Sequence, residues 1–325
     1  MKTPDFWYQD KNFPAALLAP LSRLYARLSR KHREGANPLK ISVPVICIGN
    51  IVAGGAGKTP TALALAKLLQ EQKIALAPFF LTRGYRGKVE GPERVDQSND
   101  PALWGDEALL LKDFAPTIVS KDRHQGGLLA VNLGADCVIM DDGLQNYSLQ
   151  KNISFCVIDG ARGFGNREVI PQGPLRQPLE DGIALVDAFI MIGDDKRTTN
   201  KILPADKPLF QAELKTANKT ALGTDQNYIA FCGIGYPEKF KASLENAGVK
   251  IVSFKAFSDH HDYNSNDLEA LLKAAEANNA RLITTRKDFV RLPNFSGSED
   301  IDVLDVELVF KEPDVLTAFI RQKLS

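Results

Sequence analysis

The chain lacks any apolar run long enough to cross a bilayer. A membrane helix takes about 18 or more uncharged residues, and the nearest candidate, 41–57, ends in glycines. Paired cysteines are missing too. Cys47, Cys137, Cys156 and Cys232 form no Cys-x-x-Cys pair and each lies in an apolar, strand-like run, so they read as buried thiols of a reducing compartment. Net charge is absent, with 40 Lys+Arg against 40 Asp+Glu. That balance disfavours a general nucleic-acid binder and leaves attraction to an anionic surface to local clustering. No repeat of solenoid period recurs. Residues 1–10 carry acidic groups and no cationic stretch leading into an apolar one, which argues against a secretory signal and for a cytoplasmic location.

What is present is 325 residues of globular composition, 44% hydrophobic and 25% charged, a length that predicts about two domains. Near the start, Pro20 can open a helix that places Leu17, Leu21, Leu24, Tyr25 and Leu28 on one face, with Arg23, Arg27, Arg30 and Lys31 along its flank. Such a basic amphipathic helix either lies in a membrane interface or packs its stripe on the domain. From Lys40 onward, strands are expected at 43–49, 75–82, 117–120, 137–140, 154–159 and 188–192, several with helices between them. This alternation predicts an α/β fold, a mostly parallel sheet with helices on both faces. The polar stretch 193–227 reads as free of long regular elements and as the domain boundary. A smaller α/β unit follows, with strands at 228–232, 250–254 and 281–285 and helices at 238–247 and 267–277. The expected organisation is an N-terminal helical segment at 1–35, a core at 36–215 and a C-terminal subdomain at 216–325.

The strongest chemical signal is Gly54-Gly55-Ala56-Gly57-Lys58-Thr59, set between the first strand and a helical run at 61–70. Glycines let backbone N–H groups converge on phosphate oxygens, a lysine supplies charge for the β and γ phosphates, and a threonine hydroxyl can ligate Mg²⁺. A strict P-loop pattern wants glycine at position 52, where this chain has Val52. The remaining Gly-Gly-x-Gly-Lys-Thr is close to the variant loop of partition and metal-chaperone ATPases, whose signature lysine would fall at Ala53. Val52, Ala53, Gly54, Gly55, Ala56, Gly57, Lys58 and Thr59 are therefore the expected nucleotide-binding run.

A second signal is the apolar strand Val138-Ile139-Met140 ending in Asp141-Asp142-Gly143. Ligands of open α/β sheets bind beyond such carboxyl edges, and a carboxylate there can hold Mg²⁺. Thr285-Arg286-Lys287-Asp288 does not match the guanine-reading Asn/Thr-Lys-x-Asp pattern, so ATP is the expected nucleotide. Other polar clusters stand at Arg83-Gly84-Tyr85, Gly105-Asp106-Glu107, Asp122-Arg123, Pro174-Leu175-Arg176 and Asp259-His260-His261. Arg123 and Arg176 are able to grip phosphates bidentately and equally able to serve as surface ion pairs.

Taken in order, Val52 to Pro60, Arg83 to Tyr85, Gly105 to Glu107, Asp122-Arg123, Asp141-Asp142-Gly143-x-Gln145, Gly173-Pro174-Leu175-Arg176, Cys232 to Gly235 and Phe257-x-Asp259-His260 resemble the tetraacyldisaccharide 4'-kinase, or lipid A 4'-kinase, family. The resemblance runs from the N-terminal helix to about Asp288. It implies a P-loop-type kinase that transfers the γ-phosphate of ATP to the 4'-hydroxyl of a tetraacyldisaccharide 1-phosphate, peripheral on the cytoplasmic face of the inner membrane and attached through its N-terminal helix. Carried over by motif, Lys58 and Thr59 serve phosphate and Mg²⁺, while Thr59, Asp141, Asp142 and Glu107 form the metal set. His260 pairs with Asp106 as general base, and Lys58, Asp142, Arg123 and Arg176 complete the catalytic group. The neighbouring carboxylate favours the imidazole as acceptor of the sugar proton. Departures from the family pattern are Asn146 for His, Gln177 for Glu and Arg286 for Glu. The competing classes are an ATPase switch of the partition or metal-chaperone type, a soluble small-metabolite kinase and an inactive membrane-binding module.

Overall fold

The computed structural model describes residues 4–9, 13–217, 222, 225–293 and 301–325. Parts of the terminal reading (1–3, 10–12) and of the boundary reading (218–221, 223–224) lie outside those residues. The chain divides into two compact units, Thr3–Leu214 with Leu308–Ser325, and Lys215–Glu307.

In the larger unit the strands are β1 Val45–Gly49, β2 Pro78–Thr82, β3 Glu93–Arg94, β4 Thr117–Val119, β5 Cys137–Asp141, β6 Ile153–Asp159, β7 Ala188–Ile192 and β8 Leu209–Thr216. Its helices up to that point are α1 Phe13–Leu17, α2 Ala19–Glu34, α3 Lys58–Glu71, α4 Pro101–Trp104, α5 Asp106–Lys112, α6 Arg123–Asn132 and α7 Leu179–Ala184. The smaller unit carries β9 Asn227–Cys232, α8 Pro237–Asn246, β10 Lys250–Ala256, α9 Ser265–Ala277, β11 Ala280–Thr285, α10 Arg286–Phe289 and β12 Ile301–Leu304. The chain ends with β13 Val306–Phe310 and α11 Pro313–Leu324.

Among the described residues one sheet has nine strands in the order β13-β8-β7-β6-β1-β5-β2-β4-β3. Neighbours from β4 across to β8 run parallel, and the short β3 is antiparallel to β4. Strands β1, β2, β5, β6 and β7 are buried along their whole length, as expected where helices cover both faces of a parallel sheet. From β1 the chain crosses to β2 on one side, and the later strands β6, β7 and β8 build outward on the other. That reversal opens a crevice beyond the carboxyl end of β1. The smaller unit holds a parallel sheet in the order β10-β9-β11-β12.

Three expectations need correction. The stretch 193–227 contains β8, whose Phe210 and Ala212 are buried while Gln211 and Glu213 alternate with them; a strand with one polar face reads as loop when lysine and threonine surround it. Residues 308–325 return to the larger unit rather than closing the smaller one, because α11 buries Leu316 and Ile320 there and Phe319 meets the rings of Phe155 edge-on and Phe210 at a tilt. The N-terminal helices are not a separate body either, since Ala26 packs against the main core.

Candidate functional site

The loop Asn50–Gly57 leaves the carboxyl end of β1 and enters α3 at Lys58. Gly57 has φ +90°, and a Cβ there would strike Ile192 Cδ1 at 2.5 Å, so only glycine both turns the chain and clears β7. Gly54, at φ +109°, and Gly55 have nothing within 4 Å of where a Cβ would stand. The loop thus presents bare backbone around open space at a helix N-terminus, a cradle suited to phosphate.

The carboxyl end of β5 lies beside this cradle, since β1 and β5 pair in register from Val45↔Val138 to Ile48↔Asp141. Thr59 Oγ1 donates to Asp141 Oδ2 at 2.8 Å in a buried contact. Lys58 Nζ stands 3.6 Å from Asp142 Oδ2, and Arg176 grips the same carboxylate bidentately, Nη1 to Oδ1 at 2.8 Å and Nη2 to Oδ2 at 3.2 Å. Gln145 ties the group together, accepting from Arg176 Nη1 at 3.2 Å and donating to the Asn50 carbonyl at 2.9 Å. Electrostatics separate the two aspartates. Burial, and after it the Glu107 carboxylate, push Asp141 up to about 7, with Lys58 opposing. Burial also acts to raise Asp142, but Lys58 and Arg176 outweigh it and hold that carboxyl at about 2. Asp142 is therefore a fixed anion bracketed by two cations, and Asp141 is a carboxyl short of positive charge.

Arg123 opens α6 behind β4 and is only 3% exposed. It donates to the Ser120 carbonyl. Burial first, then repulsion by Arg83, bring its pKa down to about 10, which leaves it protonated at neutral pH. Arg123 Nε, Asn50 Oδ1, Asp141 Oδ1 and Gln177 Nε2 are buried with no hydrogen-bond partner among the described residues. Orphaned polar atoms of this kind are uncommon in native interiors and cluster where ligands complete the bonding. The donors fit Mg²⁺: a hydroxyl at Thr59 and a buried carboxylate oxygen at Asp141 are hard oxygen ligands. No group of three His, Cys, Asp or Glu side chains that could hold a metal occurs among the described residues, so protein carboxylates alone do not form a cage there.

Asp106 is buried at the start of α5 in the larger unit, its Oδ1 accepting from Glu107 N at 3.0 Å. His260 belongs to the smaller unit, on the loop after β10 in a left-handed conformation at φ 54°. Its backbone N–H donates to the Gly233 carbonyl at 2.9 Å, and Lys287 Nζ is 3.2 Å from its Nε2. The adjacent His261 has a structural occupation: Nε2 lies 2.9 Å from Asp267 Oδ2 and the ring stacks on Phe257 at 4.6 Å. Beneath this loop the fully buried Asp288 accepts from Gly233 N, Tyr263 Oη, Thr285 Oγ1 and Arg291 Nη2. Asp288 was legible in the sequence only as part of a failed guanine-binding pattern.

The structure thus brings together Lys58, Thr59, Asp141, Asp142 and Arg176 from three separated stretches of chain. Two supporting residues escaped sequence reasoning. Asn50 precedes the glycine run, where nothing in the spacing marks it. Lys151 lies after the aspartate turn and donates to the carbonyls of Leu144 at 3.1 Å and Asn146 at 2.7 Å, a half-buried cation that locks the turn and has no local motif. Asn146 Oδ1 accepts from Ser148 N and Oγ at 3.2 and 3.0 Å, a turn-closing role that amide chemistry satisfies.

A family model described as tetraacyldisaccharide-1-P 4'-kinase matches residues 14–325. The tetraacyldisaccharide 4'-kinase of Paramagnetospirillum magneticum is 46% identical over 319 residues, covering 98% of this chain and 97% of that protein. The enzyme of the same name from Rhodospirillum rubrum is 43% identical over 326 residues, with 98% and 97% covered. Among solved structures, the "apo" form of LpxK from Aquifex aeolicus in complex with ATP superposes with a TM-score of 0.78 at 26% identity, covering 96% of this chain and all of that one.

Proposed function

From the fact that the chain belongs to the tetraacyldisaccharide 4'-kinase family, we infer how its own residues carry the reaction. The protein is an ATP-dependent transferase of lipid A biosynthesis, and its phosphate acceptor is the 4'-hydroxyl of a tetraacyldisaccharide 1-phosphate. The observation that carries the residue assignment is the convergence of Lys58, Asp142 and Arg176 beside a glycine loop whose Thr59 is bonded to Asp141.

In this reading the backbone N–H groups of 54–59 bind the nucleotide phosphates, Ala53 N–H being taken by the Pro174 carbonyl, and Lys58 neutralises the outer ones. Thr59 and Asp141 would hold Mg²⁺, with Glu107 and Asp142 nearby in charge rather than as direct ligands; when bound, the ion neutralises charge on the transferring phosphoryl group. Asp142 stays ionised and keeps Lys58 and Arg176 aimed into the site. Arg123, a buried cation repelled by Arg83, gains most from an anion and takes a phosphate of nucleotide or lipid. His260, paired with Asp106 as the family pattern implies, accepts the proton of the sugar hydroxyl.

The acceptor carries four acyl chains and must be met at a bilayer surface, so we assign the face of α2 bearing Leu21, Leu24 and Leu28 to the cytoplasmic side of the inner membrane. No helix among the described residues is long and apolar enough to cross it. The test is phosphate transfer from radiolabelled ATP to a tetraacylated disaccharide 1-phosphate in mixed micelles. Lys58→Ala should abolish transfer, and His260→Ala should lower kcat by about 10²-fold or more, the scale of losing a general base. ATP hydrolysis that ignores the acceptor would instead mark a switch ATPase, and near-normal turnover in the His260 variant would remove it as the base.

A further inference from the structure

The segment that carries Arg176 touches two things at once. On one side it forms the wall of the phosphate loop: Ala53 N donates to the Pro174 carbonyl at 2.7 Å, Arg176 N donates to the Ile51 carbonyl at 2.8 Å, and Val52 and Leu175 form an antiparallel bridge between them. On the other it is held by the N-terminal arm. Trp7 Nε1 donates to the Pro171 carbonyl at 3.0 Å, and Gln172 N donates to Ser22 Oγ at 3.0 Å. Asn166 closes the turn, its Nδ2 donating to the Gln172 carbonyl at 3.0 Å and its backbone N–H to the Trp7 carbonyl at 2.8 Å. Inside the turn, Ile170 N donates to Leu175 O and Leu175 N to Glu168 O, at 2.9 and 3.0 Å. Leu175 is fully buried, and Gly173 has no room for a side chain against Asn166 and Glu168.

Ser22 makes the arrangement pointed. It is 5% exposed on a helix whose neighbouring Leu21 and Leu24 are 57% and 54% exposed. The hydroxyl is therefore turned away from the apolar stripe and into the strut. The strut is short and densely bonded, so a displacement at residues 171–172 reaches Ala53 and Arg176 with little slack.

We propose that Trp7, Ser22 and Asn166 are positioning residues of the nucleotide site: through the strut 166–176 they set the wall of the phosphate loop and the place of Arg176. The N-terminal arm then has two faces, one for the bilayer and one for the nucleotide. The inference rests on the phosphate loop holding ATP, and the experiment separates the two ideas.

ATP affinity is measured by titration of the full-length protein without lipid or vesicles, alongside Tm, and the KM and kcat for ATP are measured separately with the acceptor in mixed micelles. Trp7→Phe removes the N–H donor while keeping a smaller aromatic ring, and Ser22→Ala removes only the hydroxyl. Each should weaken ATP binding about 3- to 10-fold, the scale of one lost hydrogen bond, and Ser22→Thr should restore it. The effect should appear in ATP affinity with no lipid present, which an arm that merely attaches the enzyme to a membrane would not produce. Lys58→Ala is the control. If it loses ATP binding while Trp7→Phe and Ser22→Ala keep the parent affinity, the positioning role is overturned, whatever happens to Tm. If Lys58→Ala keeps ATP binding, the assignment of the phosphate loop falls first and the positioning role falls with it.

Discussion

Asp141 and Asp142 are adjacent in the chain and opposite in electrostatic character, and the difference can be measured in the nucleotide-free protein. Asp141 is raised to about 7 by burial and by Glu107, so the folded chain binds its proton more tightly than the unfolded chain does. Its ionisation costs stability, and the cost grows as pH rises from the ordinary carboxylate range to about 7. Asp142 is held at about 2 by Lys58 and Arg176 against burial. Its contribution is present above the ordinary range and is lost as pH falls toward 2. Asp141→Asn should therefore raise Tm relative to the parent above pH 7, the gap closing by about pH 4, while turnover falls by about 10²-fold or more. Asp142→Asn should lower Tm at neutral pH. Thermal unfolding followed at several pH values checks both, and a gain in Tm for the second variant would break the assignment of Asp142 as the bracketed anion. The residues' proximity to the phosphate loop was readable from two motifs, but their opposed pKa displacements were not, because Arg176 and Glu107 approach from distant parts of the chain.

At the scale of the element, α2 resolves an ambiguity that periodicity left open. Leu17, at the end of α1, is 69% exposed, and Leu21, Leu24, Tyr25 and Leu28 on α2 are 57%, 54%, 40% and 59% exposed, so the stripe does not pack on the domain. The helix instead docks by its other side: Ser22 accepts from Gln172, Arg30 and Arg33 pair with Asp181, and His32 meets the Tyr147 ring at 5.8 Å. A leucine moved from water into an apolar phase gains about 1.5–3 kcal/mol, and each cation near anionic lipid adds about 1 kcal/mol. Replacing Leu21, Leu24 and Leu28 with Ser should thus release the protein from anionic vesicles in a flotation or sedimentation assay. Because those side chains are already in water, Tm should change little. Vesicle binding unchanged by the triple substitution would place attachment elsewhere.

For the whole molecule, the chain's last turn back is the feature that composition concealed. After the smaller unit, β13 joins the edge of the nine-stranded sheet at β8, and α11 covers part of the main core. Leu316 and Ile320 are fully buried and Phe319 completes an aromatic cluster with Phe155 and Phe210. Truncating either aliphatic side chain to Ala should cost about 2–5 kcal/mol, read as a fall in the denaturant midpoint. The loss belongs to the unit that holds the phosphate loop, although the substitution lies more than 250 residues downstream of Lys58. A substitution without effect would mean that the last helix is an appendage. The smaller unit then reads as an insertion, Lys215–Glu307, between β8 and the strand that joins it.

Local chemistry by itself determined the class of this protein. A glycine run followed by Lys-Thr at a strand-to-helix junction, and paired aspartates at the end of an apolar strand, are dictated by short-range backbone and side-chain requirements that leave a trace in consecutive residues. The fold class followed because buried parallel strands demand unbroken apolar runs. Only the tertiary structure decided which cations answer which carboxylate, which of two neighbouring histidines is committed to packing, which side of α2 faces water, and where the chain returns to the larger unit. Those outcomes depend on contacts between residues far apart in the chain, and burial and Coulomb energy are set by where the fold places them.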